Sequence, residues 1–249
     1  CCSVFHYNES LGEKNSVKKA EQELKNRYES LENKYDKFLA ENYDYKANTY
    51  ETNKINLLSN PTSLYAKQPT VYYGLMYLAK NAKKEVKIHT PYIICNDYMY
   101  NELKNIKVPT TIMTNSAENN GNIFGAVDYL NHKKDIINTG VTIKEYEGGI
   151  SYHGKSMTID DDIAIVGSFN MDMRSAYIDT ELMLVINSKD INKQLKASME
   201  EYEKKAATVK NETEYSHIPE GMKMKELSDK KKNIKAWFGW AMNGLRFLF

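Results

Sequence analysis

Residues 153–170 read His153-Gly154-Lys155-Ser156-Met157-Thr158-Ile159-Asp160-Asp161-Asp162-Ile163-Ala164-Ile165-Val166-Gly167-Ser168-Phe169-Asn170, and the polar positions of this run decide how the chain is read. The run combines one titratable imidazole, one fixed cation and two neutral hydrogen-bonding side chains at set intervals. Near neutral pH imidazole is partly unprotonated, so it serves as nucleophile or as general acid and base. The pattern predicts strands over Tyr152–Ile159 and Asp162–Val166, joined by the polar link Asp160-Asp161-Asp162 as a hairpin. Side chains alternate along a strand, so Lys155 shares a face with His153 there, as Ser168 shares parity with Asn170. An imidazole beside an ammonium suits attack at phosphorus, because the cation offsets charge on the equatorial oxygens.

The spacing His153-x-Lys155-x4-Asp160-x6-Gly167-Ser168-x-Asn170 resembles the HKD motif of the phospholipase D superfamily, with every fixed position filled. Downstream, Asn170-Met171-Asp172-Met173-Arg174-Ser175 and then Glu181 are similar to the extension of that motif in bacterial cardiolipin synthases. Asp179 departs from it, since that branch usually has Asn there. Lys87-Ile88-His89-Thr90-Pro91-Tyr92-Ile93 looks like the strand and turn ahead of the branch's second motif, and the likeness covers roughly residues 58 to 200. It implies a phosphatidyltransferase or phosphodiesterase acting on glycerophospholipids through a phosphohistidine, in a protein associated with the cytoplasmic membrane of a bacterium. Such enzymes place two motifs face to face, and the full H-x-K-x4-D pattern occurs once here. The partner motif is therefore expected from a missing N-terminal half or from a homodimer. A one-motif homodimeric nuclease and a non-catalytic membrane or interaction module are the alternatives.

Composition narrows these readings. Lys and Arg total 34 against 33 Asp and Glu, a formal net charge of +1, so no basic excess points to nucleic acid. Cys1, Cys2 and Cys95 have no metal-ligand spacing and fit a reducing compartment better than a disulfide framework. No metal motif is present, no cofactor is implied, and insensitivity to chelators is expected. No apolar run is long enough for a membrane span, no signal peptide is visible, and the non-Met start suggests a fragment or a processed chain.

Three regions follow. Residues 1–57 form a helical and connector segment, with an amphipathic helix from Ser16 whose stripe is Val17, Ala20, Leu24, Tyr28, Leu31, Tyr35 and Phe38. That helix reads as packed on its own domain in preference to a docking helix. Residues 58–206 alternate helices with short apolar strands, so an α/β fold is expected, a mixed β-sheet sandwiched by helices. Asp97 is the expected cap of a helix from Tyr98. Residues 207–249 form a tail that is polar, then basic, then aromatic, suited to an anionic membrane surface or to docking on the missing half.

Within the motif, His153 and Lys155 are the expected catalytic pair, with Ser168 and Asn170 binding the substrate phosphate. Asp160 joins them as a motif residue whose bland role is to form the turn. Gly167 serves a tight turn or a close approach, or else marks a bulge. The resemblance makes Glu181 the carboxylate that bonds the second nitrogen of His153. Arg174 is expected to pair with Asp172 or with a lipid phosphate. His6, His89, His132 and His217 read as solvent or packing residues.

Overall fold

The structure is a computed structural model that describes residues 12–39, 44–47, 49–62, 65, 67–238, 244 and 246–248. Two units divide at Thr49 and Tyr50. The first contains helix α1 (Asn15–Leu39), which bends at Tyr35, where φ is −124° and ψ 24°. Val17, Leu24, Tyr28, Leu31 and Tyr35 of its apolar stripe are exposed.

The second unit is built on a mixed sheet of nine strands. In chain order these are β1 (Lys54–Ser59), β2 (Val86–His89), β4 (Thr110–Asn115), β5 (Thr142–Tyr146), β6 (Ser156–Ile159), β7 (Ile163–Gly167), β9 (Leu182–Asn187), β10 (Ala206–Val209) and β11 (Tyr215–His217). Across the sheet they run β1-β9-β7-β6-β2-β4-β5-β10-β11, while β3 (Ile93–Ile94) and β8 (Met171–Asp172) pair separately. The β2–β4 and β4–β5 pairs are parallel and the other pairs of the large sheet antiparallel.

Register places Ile143, Ile112, Ile88, Met157, Ile165 and Val185 side by side across six strands, all buried. Helices α2 (Thr70–Lys80), α3 (Asp97–Lys104) and α4 (Ile123–Ile137) supply the residues that close over this row. Helix α6 (Lys189–Glu203) packs against the opposite face. One residue along, that face carries Lys144, Met113, His89, Ser156, Val166, Leu184 and Leu57 in a second row. The row begins charged, is buried at His89, and ends apolar and open to solvent at Leu57.

Several expectations shift. Strand β1 lies in the stretch read as a connector, so the boundary drawn at 57/58 runs through it, and β10 and β11 carry the sheet into the tail. Asn96, not Asp97, caps α3 by accepting from the N–H of Met99 at 3.0 Å. Residues 152–155 precede β6 rather than belonging to it.

Asp160 sits in the β6–β7 turn with φ +51°, and its carboxylate accepts from the backbone N–H groups of Lys83, Lys84 and Glu85. Burial alone would raise the pKa of this acid; the three amides outweigh it and hold the pKa below the ordinary range. The carboxylate therefore contributes stability above the ordinary aspartate pKa, and that contribution is lost as pH falls through the lowered value. Asp160→Ala is expected to cost roughly 1–2 kcal/mol in urea unfolding, the size of a lost cap. His153 chemistry should survive in the folded fraction.

Candidate active site

A hairpin joins the parts of the site. Strand β6 leaves Lys155, turns at Asp160–Asp162, and β7 returns to Gly167, with Ser156 opposite Val166. The N–H of Gly167 donates to the carbonyl of Lys155 at 3.3 Å, which brings Ser168–Asn170 back beside the start of the hairpin. Only glycine fits at 167, because a Cβ there would lie 2.1 Å from the carbonyl oxygen of Leu182 on β9. Close approach, not a bulge, accounts for this glycine.

Lys155 Nζ lies 2.8 Å from His153 Nδ1 and 2.8 Å from the carbonyl of His153. An ammonium only donates, so Nδ1 is the acceptor and the neutral ring carries its proton on Nε2. Among the described residues no carboxylate lies within ion-pair distance of Lys155, and the imidazole is exposed. Burial, and then the Lys155 charge, lower the pKa of His153. Burial also lowers the pKa of Lys155, against the pull of Glu181 and Asp172. A neutral imidazole thus stands beside a cation without a counter-ion, at the open end of the hairpin.

The remaining predicted residues divide. Asn170 donates to Tyr92 Oη and Ser175 Oγ, both at 3.3 Å, while its Oδ1 is buried without a partner. Ser168 Oγ donates to Glu181. Glu181 also accepts from Ser175 Oγ at 2.8 Å, so it is held by two hydroxyls rather than by His153. The expected carboxylate–imidazole bond is absent; the carboxylate turns its two oxygens to the serines of positions 168 and 175. Asp160 lies at the far end of β6, about 13 Å of strand away, and does not reach the pair. Arg174 pairs with Asp179 at 3.0 Å, not with Asp172. Asp172 instead caps the short helix α5 (Met173–Tyr177) by accepting from the Ser175 N–H at 2.5 Å. Burial pushes its pKa up to about 6.

Some contributors were not anticipated. His89 is buried, with Nε2 3.2 Å from Glu203 and Nδ1 3.3 Å from Tyr152 Oη. Desolvation lowers its pKa, overriding Glu203. The ring of Tyr152 folds over Gly154, where a Cβ would lie 2.3 Å from the phenol oxygen. The other His-x-Lys spacing, His132-Lys133-Lys134, is on α4, with His132 beside Asp135 and Lys133 paired to Glu145. Among the described residues no three His, Cys, Asp or Glu side chains converge on a metal site.

The family model described as "Cardiolipin synthase, PLD-like domain" matches residues 75–202, more than half of the chain. The chain belongs to this family. Cardiolipin synthase 1 of Staphylococcus epidermidis is 30% identical over 159 residues, 63% of this chain and 32% of that protein. Cardiolipin synthase 1 of Staphylococcus aureus is 26% identical over 192 residues, 74% and 38% respectively. The chain thus spans about a third of the length of these curated relatives. The phosphatidylserine synthase structure of Haemophilus influenzae aligns with TM-score 0.55 at 16% identity, over 78% of this chain and 48% of that one. The phospholipase D family member Nuc of Salmonella typhimurium aligns with TM-score 0.50 at 16% identity, over 63% and 97%. These two show a shared PLD-like fold.

Lys155→Met removes the cation that bonds His153 Nδ1. In this member of the family the imidazole pKa should then move up toward its ordinary value, read by NMR titration of the His153 ring. Loss of this charge should lower phosphodiester turnover about 10²–10³-fold. An unmoved titration would show that the two groups do not share a site in solution.

Proposed function

We propose that this chain forms one catalytic half of a phospholipase D-type phosphatidyltransferase acting on glycerophospholipids at a membrane surface. The observation that carries the reading is the 2.8 Å contact between a counter-ion-free ammonium and an exposed imidazole. Cardiolipin synthase relatives support lipid as the substrate class, and the net charge of +1 weighs against a nucleic-acid backbone.

The chemistry is a double displacement. A histidine nitrogen bonds to phosphorus as the P–O bond to the leaving alcohol breaks, and the leaving oxygen takes a proton from a second imidazole. An acceptor hydroxyl then attacks phosphorus, the P–N bond breaks, and the hydroxyl proton passes to that second imidazole. With two phosphatidylglycerols the products are cardiolipin and glycerol; with water the outcome is hydrolysis. A neutral imidazole attacks or accepts a proton and donates one only after protonation, so His153 serves as the nucleophile or as the base that becomes the acid, according to its counterpart. Lys155 balances phosphate charge, with Asn170 as a neutral donor beside it.

The counterpart imidazole comes from another segment or another copy. The open apolar end of the sheet, Ile55, Leu57, Val166 and Leu182, supports docking there, since Val166 adjoins the Gly167–Lys155 bond. Membrane association is supported by the tail. Lys231 Nζ donates to the carbonyls of Ala117, Glu118 and Asn120, which fastens helix α7 (Asp229–Phe238) and leaves Trp237 82% exposed among Lys230, Lys232 and Lys235. Arg246 pairs with Asp128 at 2.6 Å and leaves Phe247 and Leu248 exposed. Exposed aromatics beside lysines suit an anionic interface. Among the described residues no helix is long and apolar enough to cross a membrane.

The protein containing this chain should convert labelled phosphatidylglycerol in vesicles, and His153→Ala should abolish conversion by at least 10³-fold. Cleavage of single-stranded DNA with no lipid turnover would replace this reading with that of a nuclease. Wild-type turnover by the His153→Ala protein would remove His153 from the mechanism, and no turnover by the unmutated protein would remove the enzyme. Replacing Trp237, Phe247 and Leu248 together by Ser should weaken sedimentation with anionic vesicles about tenfold or more; undiminished sedimentation would exclude the tail as the membrane contact.

A further inference from the structure

On its β2 side the segment that carries His153 has no strand beside it. Strand β6 pairs with β2 only as far as Ser156 opposite His89, and β2 ends there because Pro91 follows and has no N–H to donate. Residues 152–155 therefore lie outside the ladder, yet they must hold an imidazole and an ammonium within a hydrogen bond of each other. A loop segment gains such order from a substitute partner.

Asn115 is that partner. It is the last residue of β4, which outruns β2, and its side chain is 1% exposed. Its Oδ1 accepts from the N–H of Tyr152 at 2.8 Å, and its Nδ2 donates to the carbonyl of Tyr152 at 2.9 Å. The second Nδ2 hydrogen goes to the carbonyl of Pro91 at 2.8 Å, and Oδ1 accepts again from Asn119 Nδ2 at 3.1 Å. Two donors and two acceptor positions are the whole capacity of a carboxamide, and all four are engaged. A single amide thereby does for the peptide of Tyr152 what a neighbouring strand would do, and bridges it to the end of β2.

The side chain of Tyr152 is held separately. Its phenol meets His89, which Glu203 anchors, and its ring lies against Gly154. Backbone and ring of the residue before His153 are thus tied to different elements. Of the two holds, the Asn115 amide fixes the peptide, and so sets the direction in which the next side chain leaves.

We propose that Asn115 is a positioning residue for the catalytic segment, its side-chain amide standing in for a missing strand so that His153 meets Lys155. This rests on the reading of His153 and Lys155 as the reacting pair. Asp is isosteric but has no donor, and would set a carboxylate against the carbonyls of Pro91 and Tyr152, so Asn115→Asp and Asn115→Ala remove the hold in different ways. Asn192→Ala is the control: Asn192 is equally buried and donates to the carbonyl of Ile163, away from the site.

The test combines NMR of the His153 ring, hydrogen exchange and kinetics on phosphatidylglycerol vesicles. In folded Asn115 variants the His153 pKa should rise toward its ordinary value, and kcat should fall at least tenfold with KM changed less than threefold. Asn192→Ala, at a similar loss of Tm, should alter neither. In the wild type the Tyr152 N–H should exchange slowly although it lies outside every strand. A freely exchanging Tyr152 N–H overturns the proposal even if no Asn115 variant folds, as does an unchanged His153 titration in either variant or an equal effect in Asn192→Ala. Should the wild type turn over no phospholipid, the functional reading fails, while titration and exchange still decide the role of Asn115.

Discussion

A lysine ammonium donating to an imidazole nitrogen is the contact on which the rest of this fold converges. Two cationic or near-cationic groups approach so closely only if one stays neutral, and here burial and the neighbouring charge both favour the neutral ring. That choice gives the imidazole its capacity to exchange a proton or to attack, and leaves the ammonium free for an anion. Glu181 and Asp172 lie near enough to act on Lys155 through space, yet their hydrogen bonds go to Ser168, Ser175 and the start of α5. The cation is thus balanced at a distance and not neutralised at contact.

The hairpin explains the spacing of the motif. Four strand residues separate Lys155 from a turn, and the return strand brings Gly167 back against the carbonyl of Lys155. Asp160 fixes the turn by bonding the three amides ahead of β2, the strand on which β6 is laid. The acidic residue thus contributes to the site through register, since a one-residue slip would send the whole face to the other side of the sheet. Gly167 permits the tight pass against β9 from which the chain continues into Ser168 and Asn170.

Much of this was legible in the chain. The helix–strand alternation, the hairpin and the meeting of His153 with Lys155 followed from periodicity and from the motif. What escaped has physical reasons. Lys54–Ser59 is half polar and sits among turn-forming residues, and it becomes a strand only because β9 is there to pair with. Asn96 and Asp97 are both competent caps, and local sequence does not rank them. His153 and Lys155 share a side without being in a strand, so parity led to the right neighbours through a different backbone. His89 and Glu203 are separated by 114 residues, and Asn115 ends a short strand rich in threonine. Partners so distant carry no local signal. Glu181 was assigned to the imidazole because nothing in the sequence says that two serines claim it first.

If the imidazole and the ammonium serve one phosphate, a single oxyanion must reach both. A crystal structure with tungstate, a tetrahedral oxyanion dense enough to locate without ambiguity, tests it most directly. The ion should sit within hydrogen-bond distance of both His153 Nε2 and Lys155 Nζ, with Asn170 alongside. Tungstate bound elsewhere, or touching one of the two groups while the other faces away, would contradict the account.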